Sequence, residues 1–189
     1  MSFFQMSSPS VARRLFLAHS GLALSGAAVA LLAGQDALAA QAGSPSANDV
    51  PILNTALGAE LEAIAAYQLG AESKLLKAGV LDLALSFQGH HKEHADMLAK
   101  TVQKLGGSPV QAKAKYNFPV EQLRSQADVL RFAASLEQGA VSAYLGAVPL
   151  FGNRDLSKAA ASILGDEAMH WAILRQALGD TAVPAAFLS

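Results

Sequence analysis

An all-α fold, an antiparallel four-helix bundle made of two helical hairpins with a crossover, is predicted by three features of the sequence. Four long segments carry apolar residues at helical spacing and few β-branched side chains. Gly, Pro and Asn punctuate them so that two connections are short and one is long, the pattern of two hairpins and the link between them. The two halves also repeat, which implies pseudo-twofold symmetry about a common centre.

The chain has 189 residues and begins with a segment that does not belong to this pattern. In residues 1–39 a twin arginine within "VARRLFLAHSG" precedes an apolar run from about Gly21 to Ala33, and Ala37 and Ala39 take the small-residue positions of a cleavage site. The run is short for a membrane span. The segment resembles a bacterial twin-arginine signal, which implies delivery to the periplasm by the twin-arginine export machinery, a route that carries folded proteins, often with a cofactor loaded. Residues 40–48 read as a flexible linker, 49–180 as the bundle and 181–189 as a C-terminal tail.

The first helix is expected from about Asn48 to Ala78, with Pro51 in its first turn, where a missing N–H is harmless, and Gly79 as its stop. The second runs from about Leu81 to Leu105 and ends at Gly106-Gly107-Ser108-Pro109. A crossover through "QAKAKYNFP" leads to the third, from about Ser125 to Val148, and the fourth spans about Asp155 to Leu178, with Gly179 as its stop.

Composition excludes several functions. With Arg13, Arg14 and Asp36 of the leading segment set aside, 12 basic residues face 14 acidic ones, so there is no basic field for nucleic acid. Cysteine is absent, which rules out disulfides and thiolate metal sites.

The polar residues that matter are those on the wrong side of a helical wheel. Glu60 lies within the apolar stripe of Leu53, Ala56, Ala63, Ile64 and Tyr67, and Glu137 within that of Leu130, Ala133, Ala140, Val141 and Tyr144. An isolated carboxylate in a core costs several kcal/mol unless it is paired, protonated or metal-bound. Two at equivalent positions point to a shared centre. "HHKEHADML" falls on "DEAMHWAIL" in the same register, so His91 meets Glu167 and His94 meets His170. Each pair, at i and i+3, shares one helical face. His90 falls at the stripe's edge, where a solvated side chain is expected, Trp171 reads as core, and Glu62, Glu93 and Asp96 read as solvated. Tyr67 and Tyr144 read first as aromatic core, with hydroxyls placed to donate to a ligand carboxylate.

A glutamate from each of two helices and a Glu-x-x-His from each of the others is the ligand set of carboxylate-bridged di-iron bundles. Here the set is Glu60, His91-x-x-His94, Glu137 and Glu167-x-x-His170. From about Val50 to Leu178 the chain resembles the ferritin-like superfamily, in particular its exported bacterial branch, which includes desiccation-related proteins. The resemblance implies six metal ligands, Glu60, His91, His94, Glu137, Glu167 and His170. Iron is the first expectation, with manganese, zinc and copper also compatible with the donors.

The chain departs from that pattern at His91, which stands where a bridging glutamate is expected. A neutral imidazole has one lone pair and cannot bridge through it. Three outcomes follow: a dinuclear centre with Glu167 as its sole carboxylate bridge, a mononuclear site, or a centre that holds little metal. The expected function is an exported metal-binding protein that oxidises Fe(II) with oxygen or peroxide, and it could assemble as a homo-oligomer. The rival is a non-enzymatic desiccation or stress bundle whose polar centre is structural.

Overall fold

The structure, a computed structural model, describes residues 45–188. The expected export signal and most of the linker lie outside these residues. Four helices account for the fold: α1 (Pro45–Glu72), α2 (Ala78–Lys104), α3 (Gln126–Ala147) and α4 (Arg154–Leu178), with single 3-10 turns at Val120–Gln122 and Val148–Leu150. There is no strand among the described residues, and no helix among them is long and apolar enough to cross a membrane. The close pairs are α1 with α2 and α3 with α4, and the two hairpins meet more loosely.

The helix ends follow local chemistry. Asn153 caps α4 by accepting the Asp155 N–H at 2.8 Å, and Ser125 caps α3 by accepting that of Asp128 at 3.2 Å while its hydroxyl donates back to the Asp128 carboxylate at 2.7 Å. At the end of α4, Gly179 takes a left-handed conformation with φ 82°, and the Asp180 N–H reaches Arg175 O at 2.9 Å. The first hairpin turn differs from expectation. Helix α1 stops at Glu72, and Gly79 lies inside the first turn of α2. No Gly or Pro makes this turn. The Ser73 hydroxyl takes up the Gly70 carbonyl at 2.6 Å, and Lys74 adopts a left-handed φ of 62°. Helix α1 also starts three residues before Asn48, so Pro51 lies inside it; Thr55 donates to the Pro51 carbonyl at 2.9 Å.

The crossover runs the length of α1. At its start Gly107 passes so close to α1 that a Cβ there would sit 2.5 Å from Val50 Cγ1. Asn54 then holds it from both sides, donating to Ser108 O at 3.0 Å and accepting the Val110 N–H at 2.9 Å. At the far end, Gln126 accepts the N–H of Lys77, from the α1–α2 turn, at 2.9 Å. Spanning the bundle in this way makes α3 parallel to α2 and brings the two hairpins into pseudo-twofold relation.

The two larger of three apolar clusters fill most of the interior. Leu53, Leu57, Leu98, Val102 and Ile163 belong to one, and Phe87, Leu130, Ala134 and Leu174 to the other. Between them, at the level of Glu60 on α1 and Glu137 on α3, the core becomes polar. A buried tie from outside this layer, Asp49 on α1, accepts the N–H groups of Gly152 and Asn153 at 2.8 and 3.2 Å and fixes the α3–α4 connection.

Candidate metal centre

All four helices contribute to one buried polar layer. Glu60, His91, Glu137, Glu167 and His170 are each at most 2% exposed, and the His94 side chain is 15% exposed. The spacing read from the sequence accounts for this. Each i, i+3 pair on α2 and α4 places two side chains on one face, and that face meets the lone glutamates of α1 and α3.

The distances show a two-part arrangement. His94 Nδ1 lies 3.6 Å from Glu60 Oε2, and His170 Nδ1 lies 3.5 Å from Glu137 Oε1. Each hairpin thus supplies one glutamate and one histidine. Glu167 sits between the halves, with Oε1 at 3.1 Å from His94 Nδ1 and Oε2 at 3.5 Å from His170 Nδ1. His91 occupies the other middle position. Its Nδ1 is 2.8 Å from Glu60 Oε2 and its Nε2 is 3.3 Å from Glu137 Oε1. Two four-residue sets with ligand atoms close enough for one ion follow: Glu60, His91, His94 and Glu167, and His91, Glu137, Glu167 and His170. They share Glu167 and His91.

The tyrosines do more than fill the core, and their hydroxyls cross between hairpins. Tyr144 donates to Glu60 Oε1 at 2.6 Å, and Tyr67 donates to Glu137 Oε1. Each fixes one carboxylate from the opposite half. Phe87 stacks on His170 with ring centroids 4.0 Å apart, closing the layer at that end.

Five buried atoms meet no hydrogen-bond partner in acceptable geometry: His94 Nδ1, His170 Nδ1, Glu137 Oε2 and both carboxylate oxygens of Glu167. Buried polar atoms left in this state are costly, and a cation ligated by them would remove the cost. Three carboxylates with three imidazoles form a hard-to-borderline donor set that fits iron, manganese or zinc. The residues therefore fit a metal.

Without a metal the layer can neutralise itself. Burial pulls the His91 imidazole down, but its hydrogen bonds to Glu137 and Glu60 and the charges of Glu137 and Glu167 outweigh it and hold it up at about 11. His94 and His170 are opposed by burial in the same way and are held at about 9 by Glu167 with Glu60 and by Glu137 with Glu167, respectively. Burial would raise the Glu137 carboxyl, yet the His170 and His91 imidazoles beside it and the His91 charge hold it well below the usual range. Both tyrosines are raised by burial first and by their partner glutamates second.

Two side chains differ from their sequence reading. His90 faces inward enough for its Nδ1 to reach His170 Nε2 at 2.9 Å and Asp166 Oδ2 at 3.1 Å, although its side chain is 44% exposed. Asp166 was not among the expected residues, yet the register that pairs His91 with Glu167 also pairs His90 with Asp166. Glu62 is half-buried rather than solvated, because the crossover covers its face of α1. Trp171 is likewise half-buried, with Arg175 5.5 Å above its ring. Glu93 and Asp96 are exposed, as expected.

A groove reaches down to the layer from one side. It has a volume of about 1240 Å³ and runs between α1, α3 and the crossover, and its floor includes Glu60, His91, Glu137 and Tyr144. Ala59, Ala63, Gly139 and Ala140 line it, and small side chains there keep it from closing. The opposite side, between α2 and α4, carries His90 and Asp166.

A family model for the ferritin-like domain matches residues 48–180. Among solved structures, a conserved hypothetical protein from Mycobacterium tuberculosis is similar at 26% identity and a TM-score of 0.66, over 76% of this chain and 99% of that one. A ferritin-like, diiron-carboxylate protein from Bacillus anthracis str. Ames is similar at 20% identity and a TM-score of 0.61, over 72% of this chain and 99% of that one. No curated protein matches the sequence.

Proposed function

Because the chain belongs to the ferritin-like domain family, we propose that it is an exported iron-binding protein whose buried layer holds a dinuclear centre and oxidises Fe(II) with peroxide or oxygen. The observation that carries this reading is the set of unpartnered buried ligand atoms arranged in two overlapping groups that share Glu167. The diiron-carboxylate character of the Bacillus anthracis protein, which has this fold, supports iron as the ion.

Glu60 and His94 would hold one ion, Glu137 and His170 the other, and Glu167 would span both. Tyr144 and Tyr67 keep Glu60 and Glu137 from rotating by donating to Oε1 of each, which leaves Glu60 Oε2 toward His91 and His94 and Glu137 Oε2 without a partner. Iron(II) held there would supply one electron per ion, so two ions and two protons would balance the reduction of one hydrogen peroxide to two waters. His91 is the internal proton store nearest both terminal glutamates, and the groove under the crossover gives a small oxidant access from the α1–α3 side. The apolar clusters on either side keep bulk water from the layer.

The experiment is to add peroxide to Fe(II)-loaded protein and follow the ferric absorption band. The reading requires a band that is lost in Glu137→Ala, and it fails if wild type gives none.

A second reading has its own observation. Both nitrogens of His91 face carboxylates, so an imidazolium there acts as an internal counter-cation, as a stress-related bundle with a structural centre requires. Under that reading the metal-free protein has full thermal stability and no added ion raises its Tm.

A further inference from the structure

On the α2–α4 side, outside the buried layer, three ligand atoms from two helices form a small triangle. His90 Nδ1 and His170 Nε2 are 2.9 Å apart, His90 Nδ1 and Asp166 Oδ2 are 3.1 Å apart, and His170 Nε2 and Asp166 Oδ2 are 3.3 Å apart. His94 Nε2 stands 3.4 Å from the same Asp166 oxygen. Bonds of about 2.0–2.1 Å in a tetrahedral site place neighbouring ligand atoms about 3.3 Å apart, so these edges are near the dimensions of one coordination shell.

Hydrogen bonding alone leaves one edge of the triangle unmade. Each ring nitrogen carries at most one proton, and an ionised Asp166 only accepts. If both nitrogens are protonated, two donors oppose each other at 2.9 Å. If only His90 Nδ1 is protonated, the His170 lone pair faces the Asp166 oxygen; if only His170 Nε2 is, the His90 lone pair does. One edge always sets like against like. A cation at the centre satisfies all three.

We propose that His90, Asp166 and His170, with His94 beside Asp166, form a second, partly exposed site for a divalent ion of the zinc, cobalt or ferrous type. Two imidazole nitrogens and one carboxylate oxygen, with water as the fourth donor, are a set such ions take in four-coordinate sites. The pseudo-twofold relation supports it, because His90 and Asp166 are equivalent positions, as are His94 and His170, so the cluster lies on the symmetry axis where α2 and α4 face each other.

The site is coupled to the buried layer. His94 and His170 each turn Nδ1 inward to the glutamates and Nε2 outward to Asp166. A neutral imidazole has a single lone pair, so each ring serves the inner or the outer ion, not both. An ion captured from solvent by His90 and Asp166 therefore competes for His170, which the inner centre needs. That geometry suits a capture site on the path inward.

Cobalt(II) titration of the metal-free full chain tests this, because tetrahedral Co(II) has an intense visible band. Glu60→Gln/Glu137→Gln, disabled in the inner layer, is expected to retain one equivalent of Co(II) with that band, and adding His90→Ala is expected to remove it. His90→Ala and Asp166→Asn alone, at partly exposed positions that do not threaten folding, are each expected to lose the tetrahedral band that wild type shows when Co(II) occupies the outer site. The proposal is overturned if these two single variants match wild type in stoichiometry and spectrum, or if a folded inner-layer variant shows no tetrahedral band. Metal that follows His90 and ignores Glu60 and Glu137 would uphold this site and remove the inner centre. Metal that follows the glutamates and ignores His90 would do the reverse.

Discussion

Filling the buried layer with metal must expel protons, and their number is set by the histidines. At pH 7 His94 and His170, held at about 9, are imidazoliums, yet their Nδ1 atoms must offer lone pairs to bind an ion. Removing each proton two pH units below its pKa costs roughly 3 kcal/mol, at about 1.4 kcal/mol per unit. Both histidines together thus subtract about 6 kcal/mol from the gross affinity of a filled centre at neutral pH. The overall constant for filling the layer should rise about 100-fold per pH unit between pH 6 and 8, a slope of two protons. Calorimetric titration of metal-free protein with Fe(II) under anaerobic conditions, in buffers of different ionisation enthalpy, counts the protons directly. Two are expected per filled centre. A third appears only if His91, held at about 11, also becomes a ligand, so the same measurement reads the role of the residue that departs from the family pattern. Proton-neutral binding, or an affinity flat from pH 6 to 8, would refute the reasoning.

Other outcomes follow from the same geometry. For the metal-free protein, the three raised histidines stabilise the fold fully below pH 6.5, and this contribution is lost as pH rises through about 9 and then about 11; Tm should therefore fall from pH 7 to pH 10. Glu137, held low, acts in the opposite direction: its contribution is present above about pH 4.5 and lost as pH falls, which a melt at pH 3 should register. Tyr144→Phe leaves a buried oxygen of Glu60 without its donor and should cost about 1–3 kcal/mol in denaturant unfolding of the metal-free protein. Leu174→Ala, emptying a site 2% exposed next to the polar layer, should cost about 2–5 kcal/mol in the same assay.

Glu60 and Glu137 were legible in the sequence because a carboxylate inside an apolar stripe is costly and therefore conspicuous. His94, Glu167 and His170 were legible because a spacing of three on a helix puts side chains on one face. The helix count and the crossover followed from period and punctuation. What was less legible depends on packing between hairpins. Which carboxylate each tyrosine serves is decided across the hairpin interface: Tyr67 reaches Glu137 and Tyr144 reaches Glu60, each skipping the glutamate on its own helix. The end of α1 was misplaced because a serine side chain and a left-handed lysine make the turn without Gly or Pro. Asp49 reads as an ordinary polar residue near a helix start, and only the fold brings it to Gly152, 103 positions away. Asp166 was hidden differently, since a carboxylate beside Glu167 reads as its solvated neighbour until α2 brings His90 opposite.

The central claim is that the buried layer is a metal centre. Its most direct test is the iron content of the full chain after anaerobic loading with Fe(II) and removal of loosely held ion, measured on wild type, Glu167→Ala and His170→Ala. Two iron atoms per chain in wild type, with both variants depleted, is the result the account predicts. Absence of stoichiometric iron from wild type, or iron retained in full by both variants, would contradict it.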